Sequence, residues 1–250
     1  RGIFIGREVT RVYKARKAAR CQGGIPVVHA SDGPVTLLLC WLTPENLLQK
    51  ENFHQTYFGD LAARLTGLGK RVALVPTAIP GVLYEDMLNT LQEAEIPIEL
   101  PHQRLSYLDV IRSAVSTIRG TKGPGRVPLL EGINISPIIH DEMRSFWISN
   151  GAATCMMMTR QVEAWRRSEL DIERIIYLYE NQPWERALCW QAAKSLPDTS
   201  LVAFRHTAAQ HLMLHFYLAP GEEEIAPLPH RIATIGAHTA NRFSKGGYSA

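Results

Sequence analysis

Glu180, Asn181, Gln182, Trp184 and Glu185 crowd one short stretch of the chain, and His206 follows shortly after. Carboxylates and an imidazole are the groups that take a proton from a hydroxyl, and amides orient hydroxyls by hydrogen bonds. A plain surface turn needs no such density of polar groups beside a tryptophan. Glu180 is the first candidate for a general base or a hydroxyl ligand; the competing reading is a solvated carboxylate at a strand end. His206 is a candidate base or phosphate-oxygen ligand, against the reading of a satisfied core histidine. Asn181 and Gln182 fit hydroxyl recognition, although Asn181 also fits a helix cap. Glu185 falls in a first helical turn, where a carboxylate complements the helix dipole and closes a capping box. Trp184 reads as core, because it begins a buried stripe. Arg205 alternates away from Phe204, which makes it either a ligand-facing rim charge or a solvent-facing one.

These residues need two strands and a helix to position them. Arg174–Tyr179 is a β-rich apolar run. Pro183 opens a helix to Leu196, with Trp184, Leu188, Ala192 and Leu196 as its inner stripe. Ser200–Arg205 is the next strand. Two strands joined by one helix run parallel with a right-handed crossover. Glu180 and His206 then share one rim, where open α/β sheets bind ligands.

Upstream, Val35–Leu42 is a continuous apolar run suited to a central parallel strand. Thr43 to Thr56 is a polar loop. Tyr57 to Leu68 reads as a helix ended by Gly69, with Tyr57 and Asp60 as polar candidates at its start. Arg71–Pro76 is a second strand, Gly81 to Ala94 a helix, and Ile96–Leu100 a short strand near a sheet edge. Ser106 to Ile118 is a helix capped by Ser106 with Asp109. Ser136 to Asp171 is helical with a break near Asn150-Gly151, and its methionines and aromatics fill core gaps. Gly120–Gly125 is glycine-rich but lacks the Gly-Lys-Ser/Thr ending of a phosphate loop. His211 and His215 share a helical spacing, and no His-Glu-x-x-His pattern makes them a metal site. No metal or cofactor is expected.

The expected fold is α/β, a Rossmann-like doubly wound, mainly parallel sheet. Residues 1–34 form a basic segment and 35–226 the main domain. Pro227–Pro229 reads as a linker, and 227–250 as the beginning of a second domain. The net charge of +3 is too small to argue for nucleic acid. Arg11, Lys14, Arg16, Lys17 and Arg20 nevertheless cluster; a solvated amphipathic face is one reading and contact with anionic lipid the other. No run of residues is long and apolar enough to span a bilayer, and Arg1 to Gly24 does not read as a signal peptide. Four cysteines without a CxxC pair point to a reducing compartment. The expected location is cytoplasmic, with peripheral contact at the inner membrane.

The run Tyr179–Glu185, the strand ending at His206, and Pro227-Leu228-Pro229-His230-Arg231-Ile232 with Gly236 beyond resemble bacterial surface-carbohydrate biosynthesis proteins. Tyr57-Phe58-Gly59-Asp60-Leu61 resembles the same family. These are glycosyltransferases of the GT-B architecture, with two Rossmann-like domains. The resemblance runs from about Val35 onward and implies the N-terminal, acceptor-side half, with most of the donor half absent. It implies transfer of a sugar from a nucleotide-sugar co-substrate to a glycan or lipid-linked acceptor. A more distant similarity to 3-deoxy-octulosonic acid transferases implies a CMP-linked donor. The alternatives are a non-catalytic glycan-binding or assembly protein and a polyol-phosphate transferase. Phe204-Arg205-His206-Thr207 departs from the family's Tyr-Gln-His-Ser and puts a fixed charge beside the histidine. Glu180 and His206 are the expected catalytic pair, with Asn181, Gln182, Glu185, Arg205, Tyr57 and Asp60 as substrate contacts.

Overall fold

Strand β1, Val35–Leu42, is apolar at every position but Thr36 because both of its faces are covered. Leu37 and Leu39 enter one core, while Leu38, Cys40 and Leu42 enter the other. The computed structural model describes residues 2–20, 25–43, 57–78, 82–92, 94–119, 129, 131–148, 150–208 and 213–248. The glycine-rich run Gly120–Gly125, His211 and most of the polar loop after β1 lie outside them.

Helix α1, Gly2–Arg20, precedes β1. After β1 come α2 (Leu61–Gly67), β2 (Val72–Ala78), α3 (Tyr84–Leu91), α4 (Tyr107–Arg119), α5 (Ser136–Ile148) and α6 (Asn150–Arg167). The second half holds β3 (Ile172–Leu178), α7 (Pro183–Ser195), β4 (Ser200–Arg205), the short α8 (Glu222–Ile225), β5 (Arg231–Thr234) and α9 (Ala237–Lys245). The five strands form one sheet in the order β2-β1-β3-β4-β5, with every pair parallel. Helices α6, α7 and α9 supply Trp165, Leu188 and Phe243 to one face. Helices α1, α2 and α3 supply Ala15, Ala62 and Met87 to the other. The fold is therefore α/β with a doubly wound parallel sheet, Rossmann-like in outline. Among the described residues, no helix is long and apolar enough to cross a membrane.

Local sequence rules account for most element ends. Gly69 takes φ +74° after α2, so its amide and that of Lys70 reach back to Thr66 and Leu65. This is the Schellman geometry that glycine permits without a Cβ clash. At α4, Ser106 Oγ accepts the Asp109 amide (3.1 Å) and Asp109 Oδ2 accepts the Ser106 amide (2.8 Å), a closed capping box. Tyr57–Asp60 is a turn rather than helix, with Gly59 at positive φ. The expected strand at 96–100 survives as single bridges of Ile98 to Leu74 and Val27, at the outer edge of β2. The prolines around it explain the brevity, since proline removes a ladder donor.

Two expectations change. Residues 227–248 do not begin a separate fold. β5 pairs with β4 in the main sheet, and Phe243 and Tyr248 sit in the same core as β1 and β3. The isolated strand and helix had no visible partner in sequence because the contacts reach back to residues near 177 and 202. Residues 1–34 are likewise no independent segment: Val12 and Ala15 on α1 are fully buried. Glu8 is also buried there, 2.9 Å from His102 Nε2 and paired with Arg7 and Arg11. Burial alone would raise its carboxyl, but His102 and the two arginines hold it down at about 2.

A second buried ion pair fastens the far edge of the sheet. Glu99 is fully buried, 2.9 Å from Arg104 Nε, and accepts the Trp165 indole N–H at 3.0 Å. Arg104 also donates to the Val28 carbonyl. Cys40, Cys155 and Cys189 are buried.

Candidate functional site

The chain passes from β1 outward to β2, then returns to place β3 on the other side of β1. Between β1 and β3 the winding reverses. At such a point the loops above the two strands diverge and leave a crevice at their carboxyl ends. Glu180 follows β3 and His206 follows β4, so both stand at this edge. His206 Nε2 lies 4.0 Å from Glu180 Oε1, too far for a hydrogen bond but close enough for the charges to couple. Tyr57, in the turn that leads into α2, sets its ring edge-on to His206 with centroids 5.0 Å apart. Three elements distant in sequence thus bring a carboxylate, an imidazole and a phenol together.

His206 is pushed below the usual histidine value. Burial is the largest cause; the Glu180 charge opposes it and Arg205 adds to it. The neutral ring is the form that can accept a proton at pH 7. Its Nδ1 is buried and, among the described residues, makes no hydrogen bond.

The turn carrying Glu180 is fixed from three sides. Glu185, three residues past the helix-capping Gln182, turns back over the turn. Its oxygens accept the backbone N–H of Glu180 (3.0 Å) and of Asn181 (2.9 Å). Arg205 Nη1 donates to the Tyr179 carbonyl at 3.1 Å, with its guanidinium 4.5 Å above the Phe216 ring. Asn181 adopts φ +56°, donates its side-chain amide to the His215 carbonyl, and accepts Arg186 Nε at 2.9 Å. Asparagine is among the few residues that tolerate this backbone region. The turn is therefore preorganised, and Glu180 is the side chain it leaves half exposed.

Several expected substrate contacts take other places. Glu185 is 1% exposed and cannot face a ligand, because both oxygens are spent on the turn. Arg205 is 3% exposed, neither at the rim nor toward solvent, because strand alternation points it into the core with Leu201 and Ala203. Asn181 does not cap α7: its side chain bonds elsewhere, and Gln182 occupies the cap without a side-chain bond. Asp60, just before α2, pairs with Arg64 at 2.7 Å, both side chains exposed. Gln182 is exposed beside the turn. Trp184 stacks edge-on with Trp41 and Tyr177, consistent with a core role. Sequence reading missed Phe216, Arg186 and Tyr248, whose hydroxyl lies 2.9 Å from that of Tyr179. Arg186 was legible as a neighbour on α7; Phe216 and Tyr248 carried no local signal.

Burial raises the Glu185 carboxyl to about 7, against the pull of three backbone N–H groups and with help from the Glu180 charge. The unfolded chain releases this proton near the ordinary value, so stability falls as pH rises from about 4.5 to about 7. At full ionisation the loss is about 3 kcal/mol. Glu185→Gln should flatten the dependence of Tm on pH over that window. Parallel curves for the two proteins would show that Glu185 does not titrate there.

Among the described residues, no group of three His, Cys, Asp or Glu side chains is placed to hold a metal ion. Comparison of the chain with family models, with curated proteins and with solved structures finds no match.

Proposed function

We propose that this chain is the acceptor-side α/β domain of a glycosyltransferase of bacterial surface-polysaccharide assembly. The observation that carries the reading is the meeting of Glu180, His206 and Tyr57 at the carboxyl edge of the sheet. The acceptor hydroxyl lies against His206 Nε2 and gives up its proton there as its oxygen bonds to the sugar's anomeric carbon. The bond from that carbon to the nucleotide phosphate breaks, and the phosphate leaves with the electron pair. Glu180 stabilises the imidazolium that forms. Glu185, Arg205 and Asn181 are positioning residues that hold the Glu180 turn. Gln182 is placed to meet a sugar hydroxyl. The resemblance assigns the donor nucleotide, CMP-linked in its more distant form, to a second Rossmann-like domain.

The test is incubation of the protein with labelled CMP- and UDP-sugars, a polyol-phosphate donor, and a lipid-linked glycan acceptor. Label passing from a nucleotide sugar to the acceptor supports the proposal. Label passing only from the polyol-phosphate donor makes the chain a polyol-phosphate transferase instead. Calorimetric binding of glycan with no transfer from any donor makes it a binding module.

A further inference from the structure

Helix α4 shows an apolar stripe to the surface. Its buried side mixes Val110 and Ala114 with the polar Asp109, Ser113 and Thr117, which are 2%, 0% and 6% exposed. The helix leaves Leu108, Ile111, Val115 and Ile118 at 50%, 49%, 39% and 48%. Their spacing of three and four residues puts them on one stripe of the helix, with exposed Arg112 on its margin. The buried polar side chains are satisfied. Asp109 pairs with Arg167 at 2.8 Å, and the Ser113 and Thr117 hydroxyls donate to carbonyls one turn back. The apolar stripe is thus a fixed surface of the fold rather than a misplaced core face.

Helix α1 lies alongside. Its buried side carries Glu8, Val12 and Ala15, which fixes the opposite side outward. Tyr13, Arg16, Lys17 and Arg20 recur there at helical spacing and, with Tyr107 of α4, line a cleft of about 370 Å³. The Arg16 guanidinium sits 5.7 Å from the Tyr107 ring. Among the described residues, none of Arg16, Lys17, Arg20 and Arg112 has a carboxylate within ion-pair distance, whereas neighbouring Lys14 pairs with Glu85.

We propose that this joined face docks on a lipid bilayer bearing anionic headgroups. Leu108, Ile111 and Val115 enter the acyl boundary, and the α1 cations meet the headgroup phosphates. Aliphatic side chains flanked by unpaired cations and interfacial tyrosines are the chemistry of peripheral membrane attachment. A second copy of the chain fits poorly, because a two-fold contact through this face sets Arg16, Lys17, Arg20 and Arg112 largely against one another, and the acidic group beside them, Glu85, is already paired with Lys14.

Flotation of the full chain with phosphatidylcholine vesicles, with and without phosphatidylglycerol, tests it. Binding should require the anionic lipid and weaken as ionic strength rises. Lys17→Glu combined with Arg20→Glu should weaken it roughly 25-fold or more. Ile111→Ser combined with Val115→Ser should weaken it about tenfold even at low salt. All four positions are on the surface, and an unchanged Tm confirms that the variants fold. Equal binding to both vesicle types, no binding, or variants that bind like the parent would overturn the proposal. So would a solution dimer, or capture of an acidic protein partner, that the Ile111→Ser/Val115→Ser variant abolishes while vesicle binding persists. Vesicle binding needs neither donor nor acceptor, so its outcome is separate from that of the transfer assay.

Discussion

His206→Ala should lower glycosyl transfer by about 10²–10⁴-fold, the range a positioned general base contributes. The side chain packs edge-on to Tyr57 and supports no strand or helix hydrogen bond, so Tm should change little. The pH profile gives a readout that a purely structural role would not move. Burial sets His206 below the ordinary histidine value, so the acid limb of the parent profile should lie below pH 6.5. Glu180→Gln removes the charge that favours the imidazolium. It should therefore lower the rate and also move the acid limb to still lower pH. NMR titration of the His206 ring checks the same shift without substrate. If both variants turn over at the parent rate, the catalytic roles of Glu180 and His206 are wrong.

Arg104→Met should cost about 3–5 kcal/mol of stability, the usual result of stranding one member of a buried ion pair. Glu99 has no exposure, and burial already pushes its carboxyl up against the pull of Arg104 and of the Trp165 and Gln103 hydrogen bonds. Without the guanidinium that carboxylate must ionise uncompensated or fold protonated. In a chain of this size the loss corresponds to roughly 6–20 °C in Tm. Glu99→Gln added to Arg104→Met should restore part of it, because a neutral amide carries no buried charge. A single variant within about 1 kcal/mol of the parent would mean that water already reaches the pair.

The β1, β3 and β4 strands were legible because their mainly apolar runs contain no exposed residue, and a single helix between β3 and β4 leaves one parallel arrangement. That arrangement alone puts Glu180 and His206 on one edge. The place of β5 was not legible: Arg231–Thr234 is short and half exposed, and nothing local says which sheet it joins. Arg205 misled because strand alternation gives a face but not what fills it. Here the ring of Phe216 and the Tyr179 carbonyl make a buried guanidinium tolerable. The Asn181 side chain was likewise claimed by the His215 carbonyl, a contact across a long stretch of chain. Tyr57 had signal only as an aromatic after a strand's loop, and its meeting with His206 depends on the order of β1 and β3.

That strand order also shapes how the protein folds. β1 with β2, and β3 with β4, each close over a short stretch of chain, so each pair can form early and locally. The seam between them joins Val35 to Ile172, a far larger loop whose closure is slow. The cluster of Glu180, His206 and Tyr57 draws on both sides of this seam and comes together only when the two halves dock. A ligand that bridges it will bind the docked state alone, and should slow unfolding more than contacts confined to either half.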